Sequence, residues 1–148
     1  THKMARIDFA FGATERITQA CQTSLRQYLA GQPLIVYCTD AGRLKAFDQK
    51  LWAVDEAAFV PHVAADDPEA ADTPIWLVSS DLPGALARAP AKVWLLNLDD
   101  HCPPGIDNVT RVLEIVSDDD ADKAAARERW RLYQAAGHDM KSFSLSAV

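Results

Sequence analysis

Glycine is scarce in this sequence, six residues in 148, and a single one, Gly12, falls where the first strand should turn into the first helix. A phosphate cradle of the G-x-G-x-x-G or G-x-x-x-x-G-K-[ST] kind needs several glycines so that backbone amides can close on the anion. Neither pattern occurs, so no cofactor is expected. Cysteine is equally sparse. Cys21, Cys38 and Cys102 are odd in number and widely spaced, which suits reduced thiols and neither a disulfide framework nor a zinc site. No apolar run approaches the roughly 20 residues that span a bilayer, and the N-terminus lacks a signal peptide's apolar core; a cytoplasmic protein with no membrane contact is expected. Positive charge is in deficit too, with 15 basic residues against 21 acidic and a net charge of −6. Binding along nucleic acid needs clustered cations over an extended surface, so any contact with DNA should be indirect. Thr1, His2 and Lys3 precede Met4 and read as an added leader ahead of the native start.

What is present is apolar sequence in short blocks. Hydrophobic residues make up 49% of the chain, enough to bury a core in one domain of this length. The run ARIDFAF, 5–11, reads as a first strand; Thr14 is placed to cap a helix whose stripe is Ile17, Cys21, Leu25, Tyr28 and Leu29, stopped by Gly31 and Pro33. LIVYC, 34–38, has no polar alternation and suits a strand covered on both faces. Thr39 or Asp40 opens a second helix with Leu44, Phe47 and Leu51 inward and Trp52 at the stripe's edge, and residues 59–62 read as a short extended segment. Residues 64–74, AADDPEAADTP, read as an acidic loop with mobility. IWLVS, 75–79, KVWLLNL, 92–98, and RVLEIV within 109–116 are further buried strands, with a short turn or helix in 83–91. Ser117 to Asp120 supply a cap and negative charge for a last helix. Strands alternating with helices give an α/β fold, a Rossmann-like three-layer sandwich with a mostly parallel central sheet flanked by helices. The domain should occupy 4–137 after a three-residue leader, 1–3, with 138–148 as a tail packed on it or extending from it.

The last helix carries charge opposite to that of the protein. In residues 123–137, KAAARERWRLYQAAG, four cations (Lys123, Arg127, Arg129, Arg131) face the single acid Glu128, a local +3. At about 100° per residue, Ala121, Ala125, Leu132 and Ala136 form an apolar stripe, and Lys123, Arg127, Trp130, Arg131 and Gln134 lie on the other side. Two readings remain open on periodicity alone. Trp130 could lie against a neighbouring element beside a solvated arginine face, or the face could receive an acidic ligand with an apolar anchor, a task that suits Arg and Trp.

Catalytic chemistry finds little support. His101 and Cys102 beside Asp99 and Asp100 bring imidazole, thiol and carboxylates together at a strand end, yet sequence neighbours seldom converge on one centre and no zinc-like spacing follows. His62 and His138 are single imidazoles without an assigned carboxylate or nucleophile partner. Trp52 and Phe59 either close the core over the second helix or form a patch for a partner.

Two segments carry a family resemblance: LWAVDEAAFVPH, 51–62, and ARERWRLYQAAG, 126–137. Together they resemble the chi subunit of bacterial DNA polymerase III holoenzyme, and the similarity follows element order over most of the chain. The resemblance implies a non-catalytic accessory subunit of the clamp-loader assembly, without small-molecule substrate, that binds the acidic, phenylalanine-ended C-terminal tail of single-stranded-DNA-binding protein and pairs with the psi subunit. It places Arg127, Trp130 and Arg131 at the tail-binding positions, with Lys123 and Gln134 beside them. Trp130 and Arg131 stand where a familiar form has tyrosine and lysine. Trp52 and Phe59 match the aromatics of the psi-facing surface. The alternative from another class is a small α/β nucleotide binder or enzyme using the strand ends near Gly12 and His101.

Overall fold

The computed structural model describes residues 5–54 and 60–145. Among the described residues seven strands and four α-helices follow one another: β1 (Arg6–Ala13), α1 (Arg16–Leu29), β2 (Leu34–Tyr37), α2 (Ala41–Trp52), β3 (His62–Ala64), β4 (Ile75–Val78), α3 (Leu82–Arg88), β5 (Trp94–Asn97), β6 (Arg111–Ser117), α4 (Asp120–Ala135) and β7 (Asp139–Ser144). They form one sheet in the order β3-β4-β2-β5-β6-β1-β7, with every pairing parallel. The β2, β4 and β5 runs LIVY, IWLV and WLLN are almost wholly buried because helices cover both faces, as continuous apolar runs without alternation require.

Two cores result, one on each face. Leu44, Phe47 and Leu51 of α2 and Ala20 and Cys21 of α1 pack on Leu34, Val36, Leu96 and Ile115. On the other face Leu82 and Ala85 of α3 and Ala126 and Tyr133 of α4 pack on Ile7, Phe9, Ile35, Leu95 and Val112. Asp40 caps α2 by accepting from the Arg43 amide at 3.1 Å, and Asp119 caps α4 by accepting from Asp122 at 3.0 Å. Gly137, at φ 87°, ends α4 in a left-handed conformation that favours glycine.

Several expectations are corrected. The first helix starts at Arg16, not behind a Thr14 cap; Glu15 occupies the cap position without a side-chain cap bond because its carboxylate turns to the Thr18 hydroxyl and Lys50. Leu29, assigned to the inward stripe, is 69% exposed. The acidic loop is pinned at its end: Ala70 is buried in a single 3-10 turn, and the Trp76 indole donates to the carbonyls of Ala70 at 2.7 Å and Thr73 at 3.0 Å. The tail expected to pack on the domain or extend from it contributes β7, seated beside β1 in parallel register with Phe9 opposite Ser142. The His138 imidazole is partnered, accepting from the Ala5 amide through Nδ1 at 3.1 Å.

The largest correction concerns α4. Its buried residues are Ala126, Arg129 and Tyr133, whereas Leu132 is 45% exposed and Ala121 and Ala136 face solvent. The helix is rotated because its inward stripe runs through an arginine, which the sheet can accept only with a counter-charge in place. Glu114 of β6 is that counter-charge.

Candidate docking cleft

The residues of interest sit where β1 and β6 end. β1 leads into α1 on one face and β6 into α4 on the other, and such a divergence opens a crevice at the carboxyl ends of the strands. Gly12, at φ 88°, turns the chain there.

Beneath α4, Glu114 collects donors from two elements, α4 and β5. Its carboxylate accepts from Arg129 Nε at 3.1 Å to both oxygens, from the Tyr133 hydroxyl at 2.7 Å and from Asn97 Nδ2 at 2.8 Å. Arg16 approaches it to 3.7 Å while donating to the carbonyls of Asn97 and Asp99 at 3.2 and 2.9 Å. Burial, and next the Glu114 charge, push the Tyr133 phenol far above its ordinary value, so it stays a donor. This network locks the rotation of α4 and determines which side chains the helix presents.

What it presents on the side toward β1 and β7 is an open cleft of about 590 Å³. Lys123, Ala126, Arg127 and Trp130 form one wall, Phe9, Phe11 and Ser142 the floor, and Gly12, Val116, Ser117 and Asp118 line the part at the carboxyl ends of β1 and β6. Trp130 is half-buried and meets Phe9 edge to face, centroids 5.1 Å apart at 62°. One part of the indole packs on the sheet, as the first reading expects, and another part lines the cleft. Three aromatic residues with two cations and one acid, Asp118, in the lining can receive an apolar group that carries an anion.

The five residues assigned to this site divide. Lys123, Arg127 and Trp130 come together in the cleft. Arg131 is exposed and paired with Glu128, 2.5 Å and 3.1 Å between their polar atoms; this contact draws the Glu128 carboxyl down and the Arg131 guanidinium up from their ordinary values. Gln134 is exposed and, like Arg131, outside the cleft lining. Phe9 and Phe11 were missed by the sequence reading, although their spacing of two in a strand places them on one face.

The other aromatic pair is half described. Trp52 is 48% exposed and its indole lies over the His62 ring, centroids 4.1 Å apart. His62 is buried and has a carboxylate partner after all, with Nε2 2.7 Å from Asp48 and Nδ1 2.7 Å from the Val60 carbonyl. Phe59 lies outside the described residues.

The polar cluster at 99–102 disperses. Asp99 accepts from the Thr39 hydroxyl at 2.9 Å, Asp100 pairs with Arg43 at 3.1 Å, and the Cys102 thiol is 3.7 Å from the Arg129 carbonyl. Burial and then the Glu114 charge push the Cys102 thiol up to about 11, which keeps it protonated. Among the described residues no group of three or more His, Cys, Asp or Glu is placed to hold a metal ion, and no helix is long and apolar enough to cross a membrane.

Residues 4–141 match the family model described as DNA polymerase III chi subunit, HolC. The chain belongs to this family. It is 28% identical over 149 residues to the DNA polymerase III subunit chi of Pseudomonas aeruginosa, an alignment covering 98% of this chain and 100% of the relative. The Haemophilus influenzae subunit chi is 26% identical over 126 residues, 83% of each chain. The Escherichia coli subunit chi is 24% identical over 122 residues, 82% of this chain and 80% of the relative. The chi-family chain thus carries its cleft on an all-parallel α/β sandwich, between the sheet's last two strands and α4.

Proposed function

We propose that this accessory subunit of DNA polymerase III uses the cleft beside α4 to dock the acidic, phenylalanine-ended C-terminal tail of single-stranded-DNA-binding protein, and so ties that protein to the replication machinery without catalysis of its own. The observation that carries the reading is the convergence of Lys123, Arg127 and Trp130 on one apolar cleft floored by Phe9 and Phe11. The terminal phenyl ring fits against Trp130 and the two phenylalanines, and the terminal carboxylate pairs with Lys123 and Arg127 in charge-assisted hydrogen bonds. Arg131 and Gln134 stand outside the cleft lining on the exposed face of α4, and Arg131, already paired with Glu128, acts on the tail's acidic residues only through longer-range attraction. A free tail of this kind is disordered and loses entropy on docking, which suits micromolar affinity, about −8 kcal/mol.

Titration with an acidic peptide ending in phenylalanine tests the reading. Arg127→Ala and Trp130→Ala should each weaken binding at least tenfold, and rising salt should weaken it progressively. Undiminished binding in both variants would remove the site.

A second docking surface in the same reading is Trp52 with Phe59, facing the psi subunit. Its support is the half-exposed indole of Trp52, seated on His62 and through it on Asp48. Co-purification of psi with the parent chain and its loss with Trp52→Ala is the expected outcome.

A further inference from the structure

The cleft reaches β7 through Ser142. β7 is the terminal strand of the sheet among the described residues. The Asp139 amide donates to Ala5 at 3.1 Å and the Leu145 amide to Phe11 at 2.9 Å. With the two-residue period of a strand, these bonds turn the backbone groups of 139, 141, 143 and 145 toward β1 and leave the N–H and C=O of Met140 and Ser142 facing outward. Ser142 also lines the cleft, so one residue belongs both to the floor of the site and to an unused row of backbone donors and acceptors. The usual guards of such an edge are few here. β7 has no proline and no register shift against β1, and Lys141 stands in register with Asp8, on the face away from Phe9 and Ser142.

We propose that an acidic peptide ending in phenylalanine, once its end is held in the cleft, continues along β7 as an added strand hydrogen-bonded to Met140 and Ser142. The inference rests on the docking reading above and adds the path and conformation of the ligand's upstream residues. Its direction follows from where the cations stand. Lys123 and Arg127 line the cleft with Gly12, Val116 and Ser117, at the carboxyl ends of β1 and β6. With the terminal carboxylate there, the chain runs back past Ser142 toward Met140 and lies parallel to β7, as every strand of this sheet lies parallel to its neighbours. Main-chain pairing of this kind supplies affinity without selecting the upstream side chains. Specificity then resides in the phenyl ring and the carboxylate, and acidic side chains need only remain solvated at the edge.

The test alters the peptide and uses one protein variant, Arg127→Ala, as its control. A peptide of about eight residues ending in phenylalanine, long enough at roughly 3.3 Å per residue to fill the cleft and reach Met140, is compared with a series carrying one N-methyl group at each successive upstream amide. Strand addition predicts alternation: every second N-methyl group weakens binding about tenfold, a lost backbone hydrogen bond, and the intervening ones change it less than about twofold. Amide hydrogen exchange should show the Met140 and Ser142 amides slowing when the parent peptide saturates the protein. A flat N-methyl series with both amides unprotected, while Arg127→Ala still abolishes binding, overturns strand addition and leaves the docking site standing. Failure of the parent peptide to bind overturns both. Protection of Met140 and Ser142 without peptide, rising with protein concentration, would assign the edge to a second copy of this chain and also overturn the proposal.

Discussion

Arg129 of α4 and Glu114 of β6 face each other with both side chains closed to solvent, the Arg129 Nε 3.1 Å from each carboxylate oxygen. Removing either partner strands a charge that water cannot reach. Arg129→Ala and Glu114→Ala should each lower unfolding stability by about 3–5 kcal/mol in a urea titration. Replacing the pair together by apolar residues should not restore it, because Tyr133 and Asn97 also donate to Glu114 and would lose their acceptor.

The cations of α4 should separate by environment. Arg127 lines the cleft, while Arg131 is engaged with Glu128 on the exposed face. In the peptide titration Arg131→Ala should cost less than Arg127→Ala, by a factor of about three or more. Equal losses would move the acidic part of the ligand away from the cleft and onto the outer face.

The thiols should be quiet in the folded protein. Burial pushes Cys21 up to about 12 and Cys102 up to about 11, and Cys38 is also raised by burial. The thiolate is the reactive form. Alkylation by iodoacetamide at pH 8 should therefore be slower in native protein than in urea-unfolded protein by about a hundredfold for Cys102, read by mass spectrometry of its peptide.

Asp100 is held below its ordinary carboxyl range, first by the hydrogen bond from Arg43. A depressed folded value means that the unfolded chain binds the proton more readily, so the stability the pair contributes is complete above the unfolded value near 3.8 and is lost as pH falls through the lower folded value. Asp100 is half-exposed, and the contribution is below about 1 kcal/mol. Asp100→Asn should be slightly less stable than the parent at pH 7, and the difference should close as the pH drops below the ordinary carboxyl range.

The layered fold was legible because the central strands announce themselves. LIVY, IWLV and WLLN have no polar residue that a covered strand would reject apart from the terminal Asn97, and Asp40 stands where a cap was expected. The rotation of α4 was not legible. An arginine on the inward stripe makes sense only once Glu114, in a strand reached through a turn of the chain, is known to lie beneath it, and RVLEIV looked like any apolar run with one polar guest. β7 left no trace for a related reason. DMKSFS lacks alternation because an edge strand buries little of either face, and its partner is far away, as the 133-residue separation of Ala5 from His138 illustrates. In the cleft, Lys123, Arg127 and Trp130 could be assembled from helix period and family resemblance, whereas Phe9 and Phe11 belong to a remote element. Local periodicity cannot relate the two.

The place of β1 in the sheet bears on when the cleft can exist. β1 is made early, yet its two neighbours are β6 and β7, so it has nothing to pair with until residues 111–117 have been synthesised and lacks its second neighbour until 139–144 follow. Phe9 and Phe11 must wait more than a hundred residues for Trp130 and Ser142, a long-range closure of the kind that slows folding. On the ribosome the nascent chain therefore holds its basic helix and its aromatic floor apart, and the cleft is complete only once β7 has been made.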